Sequence, residues 1–148
     1  AIARLQHELF DLGAELACPI EKIPEYMTLV DQECSDRLIS EMDAWNESLS
    51  ELTSFILPAG SPLVAVTNLA RTVCRRLERR MVAISEGIRP LSLQYINRLS
   101  DWLFILGRWV SLRLGEDETL WKPIGERRGD RTEMIRIQDE HDDVVEKL

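Results

Sequence analysis

Hydrophobic residues recur every three or four positions from the start of the chain. Ile2, Leu5, Leu9, Leu12 and Leu16 form one stripe of a predicted helix over residues 1–17, because this spacing matches the helical repeat. The stripe begins at residue 2, and no capping residue precedes it in this sequence. We therefore expect a further segment upstream, with room for a fifth helix.

The same spacing predicts a second helix over residues 32–52, with Asp31 as its N-cap. A third helix is predicted over residues 62–85, with Ser61 as N-cap and Pro62 as the first helical residue. The face expected to be buried on the second helix consists of Leu38, Met42, Trp45, Leu49 and Leu52. The face expected to be buried on the third consists of Val66, Leu69, Ala70, Val73, Leu77, Met81 and Ile84.

A fourth predicted helix, over residues 92–114, is apolar around most of its circumference and ends at Gly115. Such a helix is central in its domain or buried in a subunit contact. Four helices with short links predict an all-α, up-and-down bundle over residues 1–124. Charged residues dominate residues 125–148, which we expect to form a tail with at most a weak helix over residues 132–145.

The composition argues against several kinds of site and several classes of protein. The three cysteines contain no C-x-x-C pair, so they predict neither a disulfide framework nor a zinc site, and they fit small core residues. Two histidines, His7 and His141, do not supply a multi-histidine metal centre or a nucleophilic triad. No apolar run approaches the roughly 20 residues that span a bilayer. We expect a soluble cytoplasmic protein with no membrane partner and no protein-bound metal.

Charge is distributed unevenly along a chain whose formal net charge is −8. Residues 63–115 carry 9 basic and 3 acidic side chains, whereas both flanking segments are acidic. An acidic protein repels nucleic acid at long range, so the basic segment indicates a small anion held locally. A nucleic-acid-binding bundle is therefore the disfavoured reading.

Arginines at positions 71, 75 and 79 are successive i, i+4 neighbours on the third helix. They are either a solvated face with intrahelical partners such as Glu78, or a clamp for a polyphosphate. All five basic residues between positions 71 and 80 are arginine. Because Arg offers a planar fork of donors and stays charged, this choice favours the clamp.

Three further residues each have a functional and a structural interpretation. Asn97 and Asp101 lie one turn apart on the fourth helix, so they either form a polar patch that faces the third helix or satisfy local partners. Phe55 either fills the core at a turn or serves a site.

Three stretches occur in one order and register: Phe55-Ile-Leu-Pro-Ala-Gly-Ser61, Ala70-Arg-Thr-Val-Cys-Arg-Arg-Leu-Glu-Arg79 and Asn97-Arg-Leu-Ser-Asp-Trp-Leu-Phe104. Two shorter stretches, residues 10–17 and 120–123, keep the same order. Together they resemble the signature of the PduO-type ATP:cob(I)alamin adenosyltransferases, and the resemblance covers residues 2–123.

The resemblance implies a ferritin-like five-helix bundle that forms a homotrimer, with ATP and cobalamin bound where subunits meet. The family transfers the 5'-deoxyadenosyl group of ATP to the cobalt of reduced cobalamin and releases triphosphate. By position, the residues implied for ATP are Arg75, Arg76, Glu78, Arg79 and Asn97. Those implied for cobalamin are Phe55 and Asn68, and those for the subunit contact are Arg71 and Asp101. Phe55 and Arg75 are the residues implied for catalysis.

This activity agrees with the side chains available. Reduced cobalt is itself a strong nucleophile, so the reaction requires no activated Ser, Cys or His. The protein would position ATP and stabilise the charge that develops on the leaving triphosphate. Mg²⁺ is implied as a companion of ATP. A flavoprotein reductase and an adenosylcobalamin-dependent mutase are the candidate protein partners.

The chain departs from the family pattern at three places. It lacks the Gly-, Thr- and Lys-rich N-terminal phosphate-binding segment, Asn68 replaces a usual His, and Ala59 replaces a usual Gly. The alternative function is a bundle of the same fold that binds nucleotide or cobalamin without catalysis, as a carrier or sensor.

Overall fold

A computed structural model describes residues 1–127 of the chain, which fold into four long α-helices and one short one. They are α1 (Ile2–Leu16), α2 (Gln32–Asn46), α3 (Pro62–Ala83), α4 (Pro90–Leu114) and α5 (Ile124–Arg127). Across these residues the backbone forms no strand, and Ile56 and Leu120 make one isolated antiparallel bridge. The predicted all-α class is therefore confirmed. The weak helix predicted over residues 132–145 lies outside the described residues.

The chain divides into two compact units. The first consists of Ala1–Leu52 and Pro58–Glu118 and contains the four long helices. The second consists of Thr53–Leu57 and Thr119–Leu148, of which the structure describes residues up to 127. None of the helices in the described part of the chain is both long and apolar enough to cross a membrane.

Contacts between side chains define the direction of each helix in the first unit. Glu8 contacts Tyr95 and Glu15 contacts Ser92, so α1 runs antiparallel to α4. The corresponding contacts are Gln32–Gln94 and Glu41–Trp102 for α2, and Cys74–Ile96 and Arg71–Phe104 for α3. They make α2 parallel and α3 antiparallel to α4. The four helices therefore alternate in direction, which confirms the predicted up-and-down bundle.

Helix α4 contacts the other three long helices and supplies the centre of the core, as its apolar circumference predicted. Tyr95, Ile96 and Trp102 are fully buried. Around them lie residues from α1, α2 and α3 that are also buried: Leu5, Leu12, Cys34, Leu38, Met42, Cys74 and Met81. Gly115 ends α4 with φ of 69°, a left-handed conformation that glycine adopts without strain.

A buried carboxylate holds α1 against α4, and a half-buried one holds α2 against α4. Glu8 accepts a hydrogen bond from the Tyr95 hydroxyl at 2.7 Å and from Arg4 Nη1 at 3.0 Å. Arg4 also donates to both oxygens of Glu41, which accepts from Trp102 Nε1 at 2.7 Å. Because each of these two carboxylates has a charged and a neutral donor, the cost of removing it from water is offset.

The second helix ends earlier than predicted. Asp31 is its N-cap, as expected, and accepts from the Cys34 amide at 3.0 Å. The helix stops at Asn46 and does not continue to Leu52. Ser48 explains the end, since both its hydroxyl and its amide donate to the Trp45 carbonyl, at 2.9 and 3.1 Å. Such local bonds compete with continued helix.

The buried face predicted for α3 is confirmed for Met81 and wrong for most of its other residues. Val66, Leu69 and Val73 are 61%, 62% and 47% exposed, and Ile84 is exposed as well. The residues of α3 that are buried are Val64, Thr67, Cys74 and Met81. This less apolar side of α3 faces α4. The more apolar stripe, which contains Val66, Leu69 and Val73, lines a groove.

The groove lies between α1, α3 and α4 and has a volume of about 470 Å³. Its lining includes Ile2 and Leu9, two exposed members of the apolar stripe predicted for the first helix. Ser61 is the N-cap residue of α3, but its hydroxyl makes no capping bond. Its backbone amide donates to Glu116 at 3.1 Å instead.

We expect that Tyr95→Phe will lower the free energy of unfolding by about 1–2 kcal/mol, because Glu8 loses a buried hydrogen-bond donor. Urea denaturation followed by circular dichroism measures the change. Tyr26→Phe is the matched control, since Tyr26 is 88% exposed and its hydroxyl should contribute less than about 0.5 kcal/mol. Equal stabilities for the two variants would show that the Glu8 contact does not hold α1 on α4.

Candidate functional site

Four arginines of α3 project from the bundle into solvent. Arg75, Arg76, Arg79 and Arg80 are exposed. Among residues 1–127, none of the four makes an ion pair with an acidic side chain. We call these four residues the arginine row. The row therefore forms a solvated face, as the structural interpretation expected, but among the described residues it lacks the intrahelical ion pairs which that interpretation also expected.

Glu78 lies within the row but contacts α4. Its Oε1 accepts a hydrogen bond from Asn97 Nδ2 at 2.8 Å. The polar patch predicted to face α3 is therefore confirmed for Asn97. Asp101 instead pairs with a local partner, as the structural interpretation expected, because its Oδ2 lies 3.9 Å from Arg98 Nη1 on the same helix. No periodicity in the sequence indicated the Glu78–Asn97 bond, because it joins residues on different helices.

Arg71 occupies a different environment from the row that follows it. It is half-buried, and its guanidinium carbon lies 4.9 Å from the centre of the Phe104 ring, a cation–π contact. Burial lowers the pKa of Arg71, and the charge of Arg75 acts in the same direction. Its buried Nε has no hydrogen-bond partner among the described residues. Arg71 is thus a partly desolvated cation whose hydrogen bonding is incomplete within residues 1–127.

Cys74 lies on the same helix, on the side that faces α4. The thiol is buried and donates to the Ile96 carbonyl at 3.2 Å. Burial raises the pKa of Cys74 to about 11, so the thiol is protonated at neutral pH and is a poor nucleophile. Cys34 is also buried, which agrees with the interpretation of these two cysteines as core residues.

Asn68 lies two turns before the arginine row. It is half-buried, and its Nδ2 donates to the Val64 carbonyl at 3.1 Å. The helical rise places its backbone about 10 Å from that of Arg75. Residues 68 and 75 are therefore separated along α3, and one donor of the Asn68 amide is already used within the helix.

The turn before α3 requires a glycine at one position. Gly60 has φ of +132°, and a Cβ there would lie 3.1 Å from Val64 Cγ1. The neighbouring Ala59 has no positive φ. Replacement of the family's usual glycine at position 59 is therefore compatible with this backbone.

Phe55 belongs to the second unit and does not fill a core. Its side chain is 77% exposed. Its carbonyl accepts from the Trp121 amide at 2.7 Å, and the two rings meet edge to face with centroids 6.1 Å apart. Leu57 donates to the Thr119 carbonyl at 2.8 Å, so two backbone hydrogen bonds join the segment of Phe55 to residues 119–121. An exposed aromatic residue on a fixed backbone is available to a ligand.

Comparison with known proteins gives these features a common context. The sequence model of the cobalamin adenosyltransferase family matches residues 1–110. The chain belongs to the cobalamin adenosyltransferase family. The predicted resemblance is therefore confirmed.

Relatives of this chain occur in bacteria and mammals. It is 44% identical over 131 residues to the corrinoid adenosyltransferase of Mycobacterium tuberculosis, across 85% of this chain and 66% of the relative. It is 32% identical over 125 residues to the human corrinoid adenosyltransferase, across 81% of this chain and 50% of the relative. The chain thus spans about two thirds of the bacterial relative and half of the human one.

Solved structures of PduO-type enzymes have the same fold as this chain. A PduO-type ATP:corrinoid adenosyltransferase from Lactobacillus reuteri, a phenylalanine-to-alanine variant complexed with cobalamin and ATP, has a TM-score of 0.75 at 28% identity. The match covers 82% of this chain and 68% of that one. An arginine-to-lysine variant of the same enzyme, complexed with ATP, has a TM-score of 0.74. The bundle described here is therefore the helical fold of the PduO-type enzymes.

Proposed function

We propose that this protein transfers the 5'-deoxyadenosyl group of ATP to the cobalt of reduced cobalamin and releases triphosphate. The arginine row is the observation that carries the proposal. Four guanidinium groups on one helix have no ion-pair partner among the described residues, in a member of the cobalamin adenosyltransferase family. A triphosphate is the small, highly charged anion that such a row fits.

Arg75, Arg76 and Arg79 are the residues proposed to bind the phosphates. Their guanidinium groups stay charged at physiological pH and offer paired N–H donors to phosphate oxygens. Negative charge grows on the triphosphate as the bond to the ribose breaks, so donors fixed on a helix stabilise the transition state more than the ground state. Arg75 is therefore also the proposed catalytic residue on the ATP side.

The proposed reaction needs no nucleophile from the protein. An electron pair of Co(I) forms the Co–C5' bond while the C5'–O bond breaks, and the pair of that bond leaves with the triphosphate. No proton has to be moved from a side chain. The buried, protonated thiol of Cys74 fits this scheme, because no described residue near the arginine row resembles an activated nucleophile.

Phe55 is the residue proposed to contact the lower face of the corrin. An exposed ring held edge to face against Trp121 presents an apolar surface that would exclude water and other ligands from cobalt. Loss of the lower ligand makes Co(II) easier to reduce, and a reduced flavoprotein is the proposed electron donor. Asn68 is proposed as a second contact of the corrinoid.

A homotrimer is proposed for the full-length protein, with Arg71 and Asp101 at the subunit contact. Arg71 is desolvated and its Nε lacks a partner among the described residues. A carboxylate from a neighbouring copy would complete its hydrogen bonding, and Asp101, more than half exposed, is available for such a pair.

The proposal also includes a metal ion, a cellular compartment and a protein partner for the reaction. Mg²⁺ is proposed to accompany ATP through phosphate oxygens, as is usual for this ion. The protein is proposed to work in the cytoplasm as a helical-bundle domain over residues 1–124, with residues 125–148 as its tail. An adenosylcobalamin-dependent mutase is the proposed receiver of the product.

Arg75→Ala is expected to raise the KM for ATP by about tenfold to a hundredfold, because one charge-assisted contact to phosphate is lost. The assay follows the corrinoid spectrum of full-length protein with chemically reduced cobalamin. Arg113→Ala is the control, since Arg113 stacks on Trp109 in the last turn of α4. An unchanged KM in Arg75→Ala would contradict the proposed phosphate site. If the wild-type protein bound ATP and cobalamin but formed no adenosylcobalamin, the alternative function of a non-catalytic carrier or sensor would be favoured.

Phe55→Ala is expected to leave the Kd of ATP within about twofold of wild type, because the change removes no phosphate contact. Formation of the Co–C bond from Co(II) and a reductase should slow, whereas the reaction from chemically prepared Co(I) should be less affected. Phe10→Ala is the matched control, as Phe10 is an equally exposed phenylalanine on α1. Parallel loss of ATP binding in Phe55→Ala would refute the division of roles.

Arg71→Ala is expected to weaken trimer association by at least about tenfold, as loss of one partner of a buried charged pair does at interfaces. Sedimentation equilibrium of full-length protein measures the association, and the control is Arg113→Ala, which removes the same charge from the exposed last turn of α4. A monomeric wild type would refute the trimer. A trimer of unchanged strength in Arg71→Ala would refute only the role of Arg71.

A further inference from the structure

Glu78 holds the side-chain amide of Asn97 in one orientation. The distance from Asn97 Nδ2 to Glu78 Oε1 is 2.8 Å. An ionised carboxylate can only accept hydrogen bonds, so the amide must turn its NH₂ group toward Glu78. Its carbonyl oxygen, Oδ1, then points away from Glu78.

The oxygen of that amide is free to accept a hydrogen bond. Asn97 is exposed on α4, and among the described residues no donor contacts its Oδ1. Phosphate oxygens are also acceptors, so they would repel Oδ1. A ligand group that binds there must instead present an N–H or O–H donor.

The position of Glu78 within the arginine row also calls for an explanation. A carboxylate among phosphate-binding arginines repels the phosphates, and Glu78 does not offset this by pairing with Arg75 or Arg79. Its one hydrogen bond goes to Asn97. Among the described residues, the carboxylate of Glu78 thus contacts the side chain of Asn97 and not the arginines beside it.

We propose that Glu78 makes Asn97 an obligate hydrogen-bond acceptor for the nucleoside part of the nucleotide. This inference rests on the proposed function. Asn97 recognises a donor, either the 6-amino group of the base or a ribose hydroxyl, and Glu78 is a positioning residue that touches no phosphate. The nucleotide then lies with its phosphates on the arginine row and its nucleoside at Asn97.

Glu78→Gln tests this role, because a glutamine amide pairs with Asn97 in either orientation and no longer enforces an acceptor. Isothermal titration calorimetry of full-length protein compares ATP with three analogues: inosine triphosphate, 2'-deoxy-ATP and 3'-deoxy-ATP. Wild type should prefer ATP over at least one analogue by about tenfold, and Glu78→Gln should reduce that ratio to about threefold or less, as expected for one hydrogen bond. The analogue affected identifies the base or the sugar as the donor.

Two further variants separate positioning from a general effect. Asn97→Ala should lose the same preference, and the double variant with Glu78→Gln should lose no more, since coupled residues are non-additive. Glu47→Gln, at the exposed C-terminus of α2, removes the same charge and should keep the ratio. Circular dichroism verifies folding, and if Glu78→Gln does not fold, the ratio in Asn97→Ala decides.

Two results would overturn the inference in distinguishable ways. If ATP binds with dependence on Arg75 but every analogue ratio is the same in wild type and Glu78→Gln, only the positioning role falls. If wild type binds none of the nucleotides, the proposed function falls with it.

Discussion

The antiparallel packing of α3 on α4 decides where the charged groups of this bundle lie. The two helices approach closely where Thr67 faces Gly107, at which a Cβ would lie 3.7 Å from Thr67 Cγ2. Further along, the thiol of Cys74 bonds to the Ile96 carbonyl. These contacts fix the rotation of α3 about its axis. A helix so rotated has its arginines in solvent and its richest apolar stripe in a groove.

Helix α4 is held from its other side by carboxylates of α1. Glu8 and Glu15 are buried, and buried carboxylates are strongly destabilising without partners. Tyr95 and Ser92 supply those partners along one side of α4. Asn97 follows Tyr95 by two residues, so contacts with α1 help to set the position of the amide beside the arginine row.

The distribution of charge and burial suits chemistry in which the substrates react and the protein positions them. Positive charge is concentrated on α3 without ion pairs in the described chain, and the buried Cys74 thiol is protonated. The exposed Phe55 ring is held in the second unit by backbone bonds to Trp121. The proposed reaction would gain rate from orientation and electrostatics and not from a reactive side chain.

The sequence by itself determined the family and the positions of the four long helices, apart from the end of α2. Periodicity placed α1 and α4 within two residues of their observed ends, and local signals correctly marked the start of α2 at Asp31 and the end of α4 at Gly115. Motif order indicated the arginines and Asn97 as candidate ATP contacts. Only the tertiary structure decided which side of α3 faces α4, since close approach at Gly107 outweighs the apolar content of the exposed stripe. It also decided that Glu78 bonds to Asn97, because a contact between two helices depends on their packing and leaves no periodic signal in either one.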